Sequence, residues 1–187
     1  MVRIPKDAKR VYNGIRFDVY HWRQKLLDGS YATFEGVKRR DTVRVLPVVR
    51  NRILIAKEWL VDRKIVFGTF GGLAEDGEDP LEAGKRELLE ETGYASSNWK
   101  LVCTEDAPWF FGIEYKVYVY IARDCIKVAE QKLDRSEKIE VKGVTLDALL
   151  KMSAKWGPYE TEVLRNARRS GRARRRLSDI LFGYRNR

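Results

Sequence analysis

The chain has 187 residues, of which 44% are hydrophobic and 34% charged, and its formal net charge is +10. This length suits one well-buried core and is short for two, and no run of about 18 apolar residues is present to cross a membrane. Residues 1–25 carry charges throughout and lack a hydrophobic signal core, so we expect a cytoplasmic protein without membrane contact.

The N-terminal third alternates between apolar and polar residues in the manner of strands. Strands are predicted over 10–12, 15–22 and 31–39. Asn13-Gly14 and Asp28-Gly29 supply the turns between them. Residues 1–40 are therefore expected to form a small antiparallel meander that belongs to the same unit as the rest of the chain.

The middle of the chain predicts a mixed core. Strands are expected over 42–49, where Pro47 interrupts the pattern, and over 52–57. The elements predicted later are strands over 100–104, 115–122 and 138–144, a helix near 146–152 and a further helix from Pro158 onward. Strands flanked by helices predict an α/β domain over residues 41–164.

An acidic helix is predicted over residues 80–92. Asp79 is a favoured N-cap residue, Pro80 suits the first helical position, and Gly93 suits the left-handed residue that ends a helix. The helix therefore begins and ends on local signals.

Three carboxylates, those of Glu87, Glu90 and Glu91, share one face of this helix because they are three and four residues apart. They lie in its C-terminal half, where the helix dipole disfavours anions. Arg86 can neutralise one of them, and Mg²⁺ or Mn²⁺ suits the others because both ions prefer carboxylate oxygens. The alternative is an acidic face that is simply solvated.

The segment 72–94 has the spacing Gly-x5-Glu-x7-Arg-Glu-hydrophobic-x-Glu-Glu-x-Gly-hydrophobic. On this pattern the chain resembles a Nudix hydrolase. The resemblance implies an α/β/α sandwich with a mixed sheet. It also implies a metal site formed by Glu87 and Glu91, with Glu90 and the backbone carbonyl of Gly71.

The same resemblance assigns roles to the remaining motif residues. It implies that Glu78 and Arg86 pair and brace the loop against the helix, and that Gly72 and Gly93 support the motif. Glu90 is assigned to the catalytic set as well as to the metal ligands.

Segments 11–19, 27–30 and 34–48 resemble the opening of the ADP-ribose and nucleoside-diphosphate-sugar pyrophosphatases. This resemblance implies a small nucleotide substrate and a homodimer formed through the meander. A monomer in which the meander covers one edge of the core is the alternative. Residues 68–72 lack the glutamate and proline typical of that subfamily, which leaves the exact substrate open.

A general base is needed to take a proton from the attacking water, and a carboxylate is the available class because His21 is the only histidine. Glu137 and Glu140 lie where a loop enters a strand, near the place from which ADP-ribose hydrolysing relatives supply their base. We choose Glu137 because it lies in the loop, and Glu140 remains open.

Three residues outside the motif are candidates for substrate contact. Arg40 is suited to a phosphate, Trp109 to a nucleobase and Glu114 to a ribose or a metal ion. Aromatic residues in a run such as 109–111 are as often packing residues as ligand contacts.

Most of the net charge lies at the C-terminus, because residues 165–187 contain nine arginines and one acid. Leu164, Ala167, Leu177 and Leu181 follow a loose helical spacing, which predicts a helix or tail with arginines facing outward. A nucleic-acid contact through residues 165–187 is one interpretation and a solvated helix is the other. No stacking aromatic accompanies the arginines, so specific nucleic-acid binding is not favoured.

The sequence thus predicts a metal-dependent hydrolase of a nucleoside diphosphate derivative, with ADP-ribose or a nucleotide sugar as substrate. The products would be a nucleoside monophosphate and a sugar phosphate. One alternative is a pyrophosphohydrolase of RNA 5′ ends or nucleoside triphosphates that uses the basic tail. The other is a module that binds nucleotides or RNA without cleaving them.

Overall fold

The computed structural model of the chain describes residues 3–62, 64–106, 113–157 and 160–183. The strands are β1 (Lys9–Asn13), β2 (Phe17–Lys25), β3 (Tyr31–Arg39), β4 (Thr42–Val49), β5 (Arg52–Trp59), β6 (Ile65–Gly68), β7 (Tyr94–Ala95), β8 (Asn98–Asp106), β9 (Ile113–Glu114), β10 (Lys116–Arg123), β11 (Ile126–Lys127) and β12 (Ile139–Val144). The helices are α1 (Pro80–Thr92), α2 (Leu146–Ser153), α3 (Glu162–Arg169) and α4 (Gly171–Phe182).

The N-terminal meander forms as predicted. Strands β1, β2 and β3 pair antiparallel in order, and β9 joins the edge of β3 in parallel. The resulting sheet stands beside the core, and much of its apolar surface is exposed. Its residues therefore contribute a wall to the domain and little to its centre.

The central sheet has the order β12-β5-β4-β10-β8, with β6 also paired to β5. It is mixed, because β4 and β10 run parallel while the other neighbours run antiparallel. The predicted interruption at Pro47 is wrong, since β4 continues through it. The ladder to β5 involves only Val48 and Val49, so Pro47 lies outside that ladder and is tolerated.

Helices cover both faces of this sheet, which confirms the α/β/α sandwich. On one face Leu88 of α1 packs with Val45, Leu54 and Phe70. On the other face the helices α2, α3 and α4 pack against β-strand residues that include Leu46, Ile53, Ile55 and Ile121. We call these the α1 face and the α4 face.

The acidic helix spans Pro80–Thr92, the predicted range. The Asp79 carboxylate accepts a hydrogen bond from the Leu81 N–H at 2.8 Å and so caps the first turn. Gly93 ends the helix with a φ of 71°, and its N–H donates to the Leu89 carbonyl at 2.7 Å.

The C-terminal segment forms two helices where the sequence predicts one. Ser170 is extended with a φ of −137°, which ends α3, and its hydroxyl accepts from the Ala173 N–H at 3.4 Å, which caps α4. Leu164, Ala167, Leu177 and Leu181 are buried, as their spacing predicts. Pro158 lies outside the described residues. None of the helices in the described ranges combines the length and apolar character needed to span a bilayer.

Candidate active site

Arg86 holds the loop before α1 to the helix. Its Nε and Nη2 donate to the two carboxylate oxygens of Glu78 at 3.0 and 3.1 Å, and Nη2 also donates to the Leu73 carbonyl at 3.1 Å. These hydrogen bonds from Arg86 hold the pKa of Glu78 below its usual value. The pair implied by the motif is therefore present as a bidentate, charge-assisted contact.

The same guanidinium reaches two of the motif carboxylates. Arg86 Nη1 donates to Glu87 at 2.9 Å and to Glu90 at 3.2 Å. One arginine thus fixes the positions of two acids on α1 relative to the loop that precedes it.

The glycine loop lies directly against the remaining motif carboxylate. The Gly71 N–H donates to Glu91 Oε2 at 2.7 Å. Gly71 has a φ of 126°, which a side chain would strain, and a β-carbon on Gly72 would overlap the Glu87 carboxylate. Both glycines are therefore required for the loop to lie this close to the acids.

Burial is the main influence on the acids nearest the loop. It raises the pKa of Glu91 to about 8, and the charges of Glu87, Glu137 and Glu58 add to that rise, while the Gly71 hydrogen bond opposes it. Burial also raises the pKa of Glu87, although Arg86 counteracts this. Ionisation of both acids together is therefore unfavourable unless a positive charge lies close to them.

Glu58 belongs to the same acidic cluster, and the sequence reasoning missed it. It lies near the end of β5, two residues beyond Ala56, whose side chain packs on the α1 face. Burial and the charge of Glu137 raise the pKa of Glu58. The face that Glu58 occupies follows from Ala56, which the fold packs against the α1 face, and the sequence of β5 alone does not give that packing.

The two candidate bases lie in different surroundings. Glu137 is exposed in the loop before β12, accepts from the Asp134 N–H at 3.2 Å, and is near enough for its charge to raise the pKa of Glu58, Glu87 and Glu91. Glu140 lies between Ile139 and Val141, which pack on the α1 face, so its side chain points the other way. It pairs with Lys142 and with Lys57, the latter at 3.3 Å.

The donor chemistry of the cluster fits a hard divalent cation. Within the described ranges no three His, Cys, Asp or Glu side chains are placed closely enough to share a metal ion. Arg86 and the Gly71 N–H instead occupy the carboxylates of Glu87, Glu90 and Glu91. Carboxylate oxygens are what Mg²⁺ or Mn²⁺ prefers, and a cation would relieve the unfavourable burial of Glu91.

The predicted substrate residues are not brought to the motif acids. Arg40 lines a cavity of about 310 Å³ with Glu78 and Pro80, beside the loop that precedes α1. Glu114 accepts from the Ile4 N–H at 3.3 Å and lines another cavity of about 360 Å³. Pro108, Trp109 and the two phenylalanines after them lie outside the described residues.

Arg39 is a second residue that the sequence reasoning passed over. Its guanidinium lies 3.8 Å from the centre of the Tyr115 ring, and Nη2 donates to the Thr42 hydroxyl. Its Nε is buried with no hydrogen-bond partner among the described residues. Burial lowers the pKa of Arg39, so this cation is held in a place that disfavours its charge.

The two cysteines, Cys103 and Cys125, are free thiols. Burial raises the pKa of Cys125 to about 11 and that of Cys103 to about 12, so neither is set up as a nucleophile. The chemistry of the site therefore rests on its carboxylates.

Comparisons with known proteins identify the family to which the chain is similar. Residues 38–166 match the family model described as NUDIX domain. An ADP-ribose pyrophosphatase of Bacillus subtilis (strain 168) is 33% identical over 150 residues, which cover 77% of this chain and 79% of that protein. A methanol dehydrogenase activator of Bacillus methanolicus is 27% identical over 145 residues, covering 75% and 77%.

A solved structure supports the fold alone. The crystal structure of an ADP compounds hydrolase superposes with a TM-score of 0.58 at 20% identity, covering 78% of this chain and 81% of the other.

Proposed function

Because the chain belongs to the Nudix family of pyrophosphohydrolases, we propose that it hydrolyses ADP-ribose or a related nucleotide sugar, giving a nucleoside monophosphate and a sugar phosphate. The named activity of the Bacillus subtilis relative and the shared N-terminal meander support this substrate class.

The observation that carries the proposal is the placement of Glu91. Its partly buried carboxylate is bound by the Gly71 N–H at 2.7 Å, and its pKa is raised to about 8. A buried acid that folding disfavours indicates a functional site, and here a cation would stabilise its charged form. A pyrophosphate is the substrate that such a cation would neutralise.

We propose that Glu87, Glu90 and Glu91 hold Mg²⁺ or Mn²⁺ together with the Gly71 carbonyl. Such a metal, when bound, neutralises the phosphates and lowers the pKa of water. Arg86 keeps Glu87 and Glu90 oriented, and the Gly71 N–H keeps Glu91 oriented.

Glu137 is the proposed general base. It is exposed in a loop on the α1 face, where it can take a proton from water at the acidic cluster. Glu140 is less suitable because hydrogen bonds from Lys142 and Lys57 hold its pKa low.

We propose that Arg40 binds a phosphate or sugar at the distal end of the substrate, from the cavity beside residues 74–80. Arg39 is added to this role because its buried Nε lacks a partner among the described residues. Trp109 is retained for the nucleobase and Glu114 for the ribose.

A homodimer through the meander is also proposed. Tyr12 of β1 is 62% exposed, and Ile15, in the turn between β1 and β2, is 95% exposed, which is unfavourable for a monomer and typical of a covered surface. Sedimentation of Ile15→Asp should show a shift from dimer to monomer, while Val128→Asp, which changes an apolar residue 54% exposed elsewhere, should leave the dimer intact. A monomeric wild type would contradict this part.

The alternative enzyme, one that grips RNA 5′ ends with the basic tail, is less favoured by the architecture. Helices α3 and α4 pack on the face of the sheet opposite α1, so their arginines do not line the acidic cluster. A non-catalytic binding module is disfavoured by the full set of motif glutamates.

The test is release of AMP from ADP-ribose by the wild type and by Glu91→Gln, with Mg²⁺ and with EDTA. We expect Mg²⁺-dependent release by the wild type and a loss of at least about 100-fold in Glu91→Gln, because a metal ligand is removed. UDP-sugars, ATP and 5′-triphosphorylated RNA are assayed in parallel to rank substrates. Absence of hydrolysis of every nucleotide tested, or equal rates in both proteins, would overturn the proposal.

A further inference from the structure

The arginines of α3 and α4 fall into two groups. Three of the seven have carboxylate partners. Arg168 Nη2 lies 3.0 Å and Arg165 Nε 3.6 Å from Glu160, which is buried, and Arg174 pairs with Asp147. These three arginines are used within the fold, where they tie the C-terminal helices to their neighbours.

The other four have no ion-pair partner among the described residues and are exposed. They are Arg169 at the end of α3 and Arg172, Arg175 and Arg176 in α4. The three in α4 are related by steps of three and four residues, so they share one side of the helix. We call these four residues the arginine stripe.

The position of the arginine stripe lowers the stability of the protein when no ligand is bound to the stripe. Arg172, Arg175 and Arg176 lie in the first half of α4, where the helix dipole is positive and cations are destabilising, and these three repel one another at their spacings. The only acid in α4, Asp179, makes no ion pair with described residues. A ligand with closely spaced negative charges would relieve both effects.

The arginine stripe is distinct from the pyrophosphate site. Leu177 and Leu181 anchor α4 on the face of the sheet opposite α1, with Leu164 of α3 beside them. A phosphate group bound at the stripe therefore lies away from the site where the pyrophosphate bond would be cleaved. The role of the stripe goes beyond the proposed hydrolysis.

The chemistry of the surface selects the partner. The planar guanidinium group of each arginine in the stripe can donate two parallel hydrogen bonds to the oxygens of one phosphate. A membrane-binding helix needs an apolar face to insert into lipid, but the large apolar residues Leu177 and Leu181 of α4 are already buried in the core. The stripe contains no aromatic residue for base stacking, so recognition would be limited to the backbone.

We propose that the arginine stripe binds the phosphodiester backbone of nucleic acid without sequence preference. This contact would hold the enzyme on RNA or DNA while α1, on the other face of the sheet, remains open to small nucleotides. Binding of this type is governed by counterion release and weakens steeply with salt.

The test is fluorescence anisotropy of the full chain with a labelled RNA hairpin and a labelled DNA duplex of about 20 nucleotides, between about 50 and 200 mM NaCl. The decisive variant is R172Q/R175Q/R176Q. It should bind at least about tenfold more weakly, and the slope of log affinity against log salt should fall by about 2 to 3 for duplex, because each lost phosphate contact removes about 0.9.

Two single variants serve as matched probes. Arg174→Gln removes the same charge from the same helix, but from an arginine already paired with Asp147, so it should change the slope little. Asp179→Asn should tighten binding, since it removes the acid nearest the stripe along α4. If the triple variant fails to fold by circular dichroism, Asp179→Asn alone decides, and unchanged affinity would overturn the proposal.

Hydrolysis of ADP-ribose should be the same in R172Q/R175Q/R176Q and the wild type, which separates this proposal from the proposed catalytic function. Equal affinity of the RNA hairpin for both proteins would overturn it. So would binding only to phosphatidylserine-containing vesicles. Comparison of the RNA and DNA probes identifies which nucleic acid is preferred.

Discussion

The two faces of the central sheet carry opposite charges in positions that helices disfavour. On the α1 face, Glu87, Glu90 and Glu91 lie in the C-terminal half of their helix, near its negative end. On the α4 face, Arg172, Arg175 and Arg176 lie in the first half of theirs, near its positive end. Apolar residues such as Leu88 and Leu177 hold both helices in place despite this cost.

The two charged sets differ in how firmly they are positioned. Arg86 and the Gly71 N–H fix the acids of α1, and burial raises the pKa of Glu91 to about 8. The arginine stripe is exposed and has no ion-pair partner among the described residues. Fixed, partly buried acids suit one small cation in one geometry, whereas exposed arginines suit a chain of interchangeable phosphates.

The largest expected effect is the loss of activity on replacing Glu137, and replacing Glu140 is its control. The two side chains lie on opposite faces of the central sheet. Glu137→Gln should lower kcat/KM for ADP-ribose by about 100-fold or more, because the general base is lost. Glu140→Gln should stay within about twofold, because that side chain faces Lys57 on the other side of the sheet. Initial rates of AMP release measure both, and similar losses in the two variants would contradict the assignment of faces.

A smaller effect is expected from Glu78→Gln, which removes the partner that holds Arg86 in place. Activity should fall about 10- to 100-fold, as for other residues that orient metal ligands. Glu82→Gln is the matched control, because Glu82 lies in the first turn of α1 and, among the described residues, pairs only with Lys85 in an exposed contact.

The stability of Glu78→Gln should depend on pH in a defined sense. The pKa of Glu78 is lowered in the folded protein, so its contribution is present above the unfolded pKa, near 4.5, and is lost as pH falls through the folded pKa. The difference in unfolding free energy between wild type and Glu78→Gln should therefore shrink in acid. If the difference in unfolding free energy grew as pH fell, it would contradict a stabilising Glu78–Arg86 pair.

The metal-free protein should become less stable as pH rises from about 4.5 to about 8, the unfolded and folded pKa values of Glu91. Over this range Glu91 keeps its proton in the folded state and loses it in the unfolded state. The decrease should be of the order of 1 to 3 kcal/mol, since the site shares its charge with Glu87 and Glu58.

Urea unfolding in EDTA at several pH values measures this slope. Glu91→Gln should flatten it, and Glu82→Gln should leave it unchanged. For the wild type, saturating Mg²⁺ should reverse the loss of stability at pH 8, because a cation bound to the folded state stabilises it. A slope that persisted in Glu91→Gln would assign the titration to a different acid.

The sequence was sufficient where the signals are local. Asp79, Pro80 and Gly93 define both ends of α1, and the motif spacing places Glu78 against Arg86. It was not sufficient for Glu58, because residues 52–57 belong to a strand buried on both faces and show no alternation. Its face follows from the packing of Ala56 with Leu88 and Phe70, which are distant in sequence.

The division of the C-terminal segment at Ser170 was missed for a related reason. The apolar spacing of Leu164, Ala167, Leu177 and Leu181 is compatible with one helix, so it hides the break. A serine before a glycine is an N-cap signal, but among arginines it carries little weight beside the longer periodicity. The consequence is functional, since the break places Arg172, Arg175 and Arg176 of the arginine stripe in the first half of a helix.

The smallest predicted effect tests that placement directly. If Arg172 lies unpaired at the positive end of α4, Arg172→Gln should raise the unfolding free energy by about 0.3 to 1 kcal/mol at low salt, and the gain should vanish at about 1 M NaCl. Arg174→Gln, in the same turn, should show little gain because its pair with Asp147 is also lost. Urea unfolding measures both. A destabilising Arg172→Gln would mean that the fold itself satisfies this arginine, and the stripe would then have no need of a polyanion.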